Sequence, residues 1–335
     1  MGITLYKNAD WILTVNEKRE KFRHGDLLIS GKEILDVGND LEKKYAGKLQ
    51  IDKTIDAKGT VILPGFVNVH HHTWQSLIRN IQATRGLKLE PWLTVMYEIY
   101  KDLNTDVARA GVYSGLGDML KTGCTTSNDL WYPHPVGVKY LVDAEIQAAA
   151  EIGIRFHPTR GFHSVPSDIV PPEVVDTKES VTEDTIRLVK KYHDRSRFSM
   201  CQVGIAPSIA QYETEDIIEA GVDLAEEYDI MVHGHLAESQ HEVEYTLKTW
   251  GWFKRHRLLG KRFYFAHCIH LNEEEIEQMA ETETGVAHCP ISNMLLSSGA
   301  CPVPSYLKHG LTRIGLGVDG AASSNSSNML EEIRG

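Results

Sequence analysis

Histidines at alternate positions are the first chemistry this chain offers. The run His70-His71-His72 closes the apolar segment FVNVHHH, and His233 and His235 sit in IMVHGHLAE with Glu238 three residues beyond. Alternate side chains of a strand share a face, so His70 and His72 point together while His71 points away. His233 and His235 share a face for the same reason. Ala266-His267-Cys268 and Gly317-Val318-Asp319-Gly320 end two further apolar segments. Imidazole nitrogens with one carboxylate oxygen suit zinc, and an open coordination position lets such an ion lower the pKa of its water to roughly 7. Hydrolysis at neutral pH is the chemistry implied. A lone H-x-H is weak, because strand histidines are often only hydrogen-bonded packing residues. Four segment ends in order, each carrying a metal-competent or proton-transfer residue, are difficult to obtain from packing alone. Spacing leaves open which of His233 and His235 is the ligand.

These residues need a scaffold that brings distant segment ends to one place. After Pro64-Gly65 the chain alternates apolar strands with helical patterns, the signature of βα units. The strands read as 66–72, 125–131, 154–162, 200–208, 230–238, 263–271, 285–293 and 312–320. Between them, DVARAGVYSGLGDMLKTG carries Val107, Ala110, Leu116, Met119 and Leu120 at helical period, and VGVKYLVDAEIQAAAEIG and EDIIEAGVDLAEEYD repeat the plan. Eight such units favour an α/β fold, a (β/α)8 TIM-like barrel whose site lies at the C-terminal strand ends. No G-x-G-x-x-G follows a strand to argue for a dinucleotide. Residues 3 to about 60 read as short strands, giving a small N-terminal β-sandwich part over 1–62 and a barrel over 63–335. The Pro-rich stretch 163–180 reads as a functional lid or a disordered connection.

Composition narrows the partners. The 335 residues hold 35 Lys and Arg against 46 Asp and Glu, a net charge of −11. An acidic chain without clustered cations offers nothing to nucleic acid or an anionic membrane, and suits a small neutral or cationic ligand. No apolar run approaches a membrane span, and no secretory signal pattern opens the chain. Five cysteines without a C-x-x-C pair fit reduced thiols, and we expect a cytoplasmic protein. Cys268 and Cys289 should face the helix layer and carry no catalytic role. A homodimer is the candidate assembly.

The texts PGFVNVHHH, VHGHLAES, FAHCIHL, VAHCPISN and GLGVDGAAS, in that order, resemble the amidohydrolase superfamily, in the branch holding cytosine, guanine, adenosyl-homocysteine and 8-oxoguanine deaminases and the triazine hydrolases. The resemblance implies metal ligands at His70, His72, His235 and Asp319, an acid/base glutamate at Glu238 and the strand-six histidine at His267. It selects His235 over His233, which becomes a supporting residue or barrel filler, as do His270 and His288. Binuclear members carry a carboxylated lysine on strand four; MCQVGIAPS has none, which implies one divalent metal ion, zinc first, with iron or manganese as alternatives. The implied reaction is hydrolytic deamination. Asp319 or Glu238 deprotonates the water, Glu238 passes the proton to the ring nitrogen, and His267 hydrogen-bonds the oxygen or the departing amine.

Substrate residues are anticipated at three positions. Gln75, three residues after His72, offers donor and acceptor together and matches the edge of an oxopurine or pterin. Trp131, with Trp74 and Tyr132, could stack on a flat heterocycle. Arg160 could pair with a ring oxygen or neutralise the acidic loop after it. Leu295 stands where 8-oxoguanine deaminase-like sequences often carry arginine. The expected substrate is an amino-substituted heterocycle, an oxopurine such as 8-oxoguanine or guanine, or a pterin. Alternatives are a triazine amino- or chlorohydrolase and a non-enzymatic scaffold, although no ligand is lost. Relatives continue past strand eight, whereas this chain stops at Gly335 within SSNMLEEIRG, so a C-terminal truncation with a half-built sandwich is expected.

Overall fold

The computed structural model describes residues 2–246 and 250–335. Residues up to Gly65 and Phe66–Gly335 form separate compact units. In the first, β1 (Ile3–Leu13), β2 (Lys21–Ser30), β3 (Glu33–Gly38), β4 (Lys53–Asp56) and β5 (Val61–Ile62) make one sheet. Its order is β3-β2-β1-β4, with β5 also on β1. Leu5, Leu28 and Leu41 form one small core, and Ala9, Ile12 and Ala57 another. The short strands expected over 1–62 thus form one sheet among the described residues, a single layer of the anticipated sandwich part.

The second unit holds β6 (Phe66–Asn68), β7 (Cys124–Trp131), β8 (Arg155–Phe162), β9 (Gly204–Pro207), β10 (Val232–Leu236), β11 (Phe263–His267), β12 (Gly285–His288) and β13 (Ile314–Leu316). They line up in chain order, each parallel to its neighbours. The Val69 amide donates to the Leu316 carbonyl at 3.1 Å and joins the last strand to the first. The result is the eight-stranded parallel barrel anticipated from the alternation of strands and helices.

Most strands end earlier than the apolar runs suggest. The backbone enters the left-handed region at Ala237, His267, Cys268 and Asp319. Non-glycine residues there are strained and persist where surrounding structure holds them, typically at functional sites. The segment ends that carry the chemistry thus turn out of the ladder.

The helix Thr105–Lys121 starts where the Asn104 side chain accepts from the Asp106 and Val107 amides. Its buried stripe runs through Ala108, Gly111, Val112, Gly115, Leu116 and Met119, one position off the stripe that Val107 and Ala110 suggested. The two glycines explain the shift. A Cβ on Gly111 would fall 2.8 Å from Trp74 Cα, and one on Gly115 would fall 2.5 Å from Ser76 Oγ. Only glycine lets this helix lie so close on the 3-10 turn Thr73–Leu77. A further helix, Leu89–Tyr100, was not anticipated between the first strand and Thr105.

The 163–180 stretch is neither open nor structureless. Val170 and Val174 belong to the core, and the Asp176 amide donates to the His163 carbonyl at 2.7 Å. Thr177 and Ser180 then form a capping box for the helix Lys178–Tyr192.

Candidate metal and catalytic site

The C-terminal ends of β6, β10, β11 and β13 bring His70, His72, His235, His267, Glu238 and Asp319 together in a buried cluster. Each imidazole is held by a hydrogen bond that decides its tautomer. A carbonyl oxygen can only accept, so His72 carries its proton on Nδ1, 2.7 Å from Leu130 O, and His235 on Nδ1, 2.8 Å from Ser208 O. His233 donates its Nδ1 proton to Tyr264 O at 2.9 Å, which leaves its Nε2 to accept from His70 Nδ1 at 2.7 Å. His70, His72 and His235 thereby turn an unprotonated Nε2 inward. His71 faces away, with Nε2 3.3 Å from Ser327 Oγ.

Those lone pairs face each other. His72 Nε2 lies 3.2 Å from His235 Nε2, and Asp319 Oδ1 lies 3.4 Å from the Nε2 atoms of both His70 and His72. His70 Nε2 is buried without a hydrogen-bond partner. Acceptors converging on one point repel unless a cation lies among them, and neutral imidazoles with an ionised carboxylate are the protonation states that metal ligands adopt. Burial lowers His70, brings His72 down to about 3 and takes His235 well below the usual histidine range. Burial acts to raise the Asp319 carboxyl, but the His70, His72 and His267 rings hold it well below the carboxylate range. Ser292 Oγ donates to Asp319 Oδ2 at 2.6 Å and orients it. The residues fit one divalent cation.

Glu238 is the counterpart of Asp319. Burial, then the negative charge of Asp319, lifts its carboxyl well above the ordinary range. Its amide and that of Ala237 donate to the two oxygens of Glu242 at 2.8 and 2.7 Å, which fixes the turn that presents it. Glu238 Oε2 is 3.4 Å from His267 Nε2. The other nitrogen of His267, Nδ1, donates to Asn293 Oδ1 at 2.8 Å.

A cavity opens over this cluster. It is lined by His72, Gln75, His235, Glu238, His267 and Asp319 on one side and by Trp92, Tyr97, Tyr132, His163 and Ser208 on the other. Gln75 gives Nε2 to Tyr100 Oη at 3.0 Å, and its buried Oε1 has no hydrogen-bond partner. Gly320 makes room for it, since a Cβ there would fall 1.8 Å from Gln75 Oε1. On the opposite wall His163 Nδ1 lies 3.1 Å from Glu213 Oε1 and Nε2 lies 2.5 Å from Tyr97 Oη.

Two anticipated substrate residues lie elsewhere. Trp131 does not line the cavity; its ring packs 4.6 Å from Trp74 and its Nε1 donates to Pro133 O. Arg160 is buried behind β8, paired with Asp176 at 2.8 Å and Asp184 at 3.0 Å. Its donors are consumed by that loop, the second of the two roles its position allowed. Trp92, Tyr97, His163, Ser208, Ser292 and Asn293 were not anticipated. Tyr97 and Trp92 come from the unforeseen helix, whereas Ser208 lies in MCQVGIAPS, Ser292 and Asn293 in VAHCPISN and His163 at the start of the Pro-rich stretch.

A parallel barrel that gathers neutral imidazoles and an ionised carboxylate at its C-terminal mouth defines a metal-site barrel. The amidohydrolase family model matches residues 61–335, and the chain belongs to that family. It is 36% identical over 287 residues to an 8-oxoguanine deaminase of Pseudomonas aeruginosa, covering 83% of this chain and 64% of that protein. It is 29% identical over 347 residues to a hydroxydechloroatrazine ethylaminohydrolase of Pseudomonas sp. strain ADP, covering 100% of this chain and 72% of the relative. Among solved structures, an atrazine chlorohydrolase from Arthrobacter aurescens TC1 complexed with zinc superposes with a TM-score of 0.90 at 25% identity, over 99% of this chain and 75% of that one. The chain thus spans about two thirds to three quarters of these proteins' lengths. No helix among the described residues is long and apolar enough to cross a membrane.

Proposed function

We propose that this chain is a divalent-metal-dependent hydrolase that removes an amino group as ammonia from an uncharged heterocycle, an oxopurine such as 8-oxoguanine or guanine, or a pterin. The observation that carries the reading is the convergence of His70, His72, His235 and Asp319 on one buried point, with the Glu238 carboxyl beside them at the rim. Two carboxyl groups whose environments drive them apart supply an acid and a base at one pH. His70, His72, His235 and Asp319 would hold the ion, for which the zinc-bound relative favours zinc. When bound, it supplies the Lewis acidity that makes water a nucleophile near neutral pH.

The chain's own groups do the rest. Asp319 takes a proton from the attacking water. Glu238 gives its proton to the ring nitrogen beside the carbon under attack, offsetting the charge that develops there. His267, oriented by the hydrogen bond from its Nδ1–H to Asn293 Oδ1, turns Nε2 to hydrogen-bond the water or the departing amine. Asp319 returns its proton to the amino group as the C–N bond breaks, the added hydroxyl gives its proton to the Glu238 carboxylate, and ammonia leaves a ring carbonyl behind. Gln75 Oε1 stands ready to accept a ring N–H. No Lys or Arg is among the described residues lining the cavity, which disfavours a phosphate or carboxylate on the substrate. The similarity to the 8-oxoguanine deaminase supports the oxopurine.

A triazine is the second reading, favoured by the match to the ethylaminohydrolase over the whole of this chain and by the superposition on the chlorohydrolase. The same cluster would serve an amine or a halide as leaving group. The test is ammonia and chloride release from guanine, 8-oxoguanine, isoxanthopterin, cytosine, adenosyl-homocysteine and amino- and chlorotriazines by protein of known metal content. Ammonia from an oxopurine or pterin alone supports the first reading. Turnover of triazines alone replaces it with the second.

A further inference from the structure

Behind the metal-ligand corner lies a pair of carboxyl groups that the reaction above does not use. Asp129, at the end of β7, and Glu145, in the helix Leu141–Ile152, are both fully buried. They close on one residue. The Thr73 amide donates to Asp129 Oδ1 at 2.6 Å, and the Thr73 hydroxyl donates to Glu145 Oε1. The remaining oxygens, Asp129 Oδ2 and Glu145 Oε2, are buried without a hydrogen-bond partner. Two buried carboxyls held on one threonine disfavour each other's ionisation.

Thr73 follows the ligand His72 directly, and the same strand end grips His72 as well. Leu130, next to Asp129, accepts from His72 Nδ1, and its own amide donates to His71 O at 2.8 Å. The close seat of the helix Thr105–Lys121 on Thr73 and Trp74 shuts the corner from the other side. Asp129, Leu130 and Glu145 thus grip the turn after β6 from one side.

We propose that Asp129 and Glu145 form a two-acceptor clamp on Thr73 that positions the His72 imidazole for metal binding. Both are positioning residues. The inference rests on the metal-site reading of the cluster. A clamp built on two acceptor oxygens predicts a particular pattern of tolerance. An amide in place of either acid keeps a carbonyl oxygen for Thr73; alanine does not.

The test is zinc affinity, measured by competition with a chromophoric chelator, alongside the thermal midpoint of each variant. Asp129→Ala and Glu145→Ala should weaken zinc binding by roughly 10–100-fold, the range for groups that orient a ligand. Asp129→Asn and Glu145→Gln should stay within about threefold of the parent, since the hydrogen bonds are kept. Thr73→Val, which removes only the hydroxyl, should weaken binding by about fivefold or more and decides the matter if the alanine variants do not fold. Asp143→Ala is the control. It sits on the same helix and is equally buried but pairs with Arg187, so it should lower the midpoint and leave zinc affinity unchanged. Parent-like zinc affinity in Thr73→Val and the alanine variants, or equal loss in Asp143→Ala, overturns the clamp. A parent protein that binds no zinc instead overturns the site reading beneath it.

Discussion

His70 Nδ1 lies 2.7 Å from His233 Nε2, and this contact sets the electronic state of the ligand cluster. His233 is itself committed by its Nδ1 proton to Tyr264 O, so it can only accept from His70, and His70 can only present a bare Nε2 to the centre. A backbone carbonyl on β11 therefore fixes the tautomer of a ligand on β6 through one intervening ring. Partners of this kind raise ligand basicity and hold ring orientation.

The consequence is measurable. His233→Leu keeps all four proposed ligands and should still lower zinc affinity roughly 10–100-fold, whereas His233→Gln, whose amide oxygen accepts from His70, should lose less. Metal content after dialysis against graded chelator distinguishes the two. Equal retention by His233→Leu and the parent would mean that His70 needs no such partner.

Gln75 and Gly320 should behave as one unit. A Cβ at 320 occupies the place of the Gln75 amide. Gly320→Ala and Gln75→Ala should each raise KM by about tenfold, the cost of one hydrogen bond. The double variant should be scarcely worse than either alone, because residues sharing one interaction are not additive. Additive losses would place the two in separate roles.

Arg160 should matter for stability and not for catalysis. Breaking its buried pair with Asp176, by Arg160→Ala or Asp176→Asn, should cost about 3–5 kcal/mol at pH 7. Burial acts to raise Asp176, but the Arg160 charge and hydrogen bonds win and hold it below its ordinary value. A folded pKa below the unfolded one stabilises above the unfolded value of about 3.9 and loses that contribution as pH falls through the folded pKa. Urea midpoints of parent and Asp176→Asn should therefore differ at pH 7 and draw together only as pH falls below the unfolded value and through the folded one. The KM of folded Arg160→Ala should be unchanged; a large rise would return Arg160 to the substrate.

The barrel was legible because period-two and period-3.6 patterns alternate eight times, and the cluster because its residues stand at strand ends in chain order. Spacing alone could not choose between His233 and His235. The structure separates them by partner: one ring accepts from His70 at 2.7 Å, while the other donates to Ser208 and turns Nε2 to the centre. The far wall of the cavity was not legible, because Trp92 and Tyr97 lie in LEPWLTVMYEIY, an apolar text that reads the same whether it fills a core or faces a ligand. Arg160 and Trp131 misled for a related reason. A strand end has two faces, and both side chains take the one turned to the helices and loops.

The most direct test of the account is ammonia release by Glu238→Gln, measured beside the parent on the substrate that the panel identifies, with zinc content assayed in both. The account predicts that the variant keeps its metal and loses turnover by about 10²–10⁴-fold, since the amide cannot deliver a proton to the ring nitrogen. Parent-like turnover by metal-loaded Glu238→Gln would contradict it.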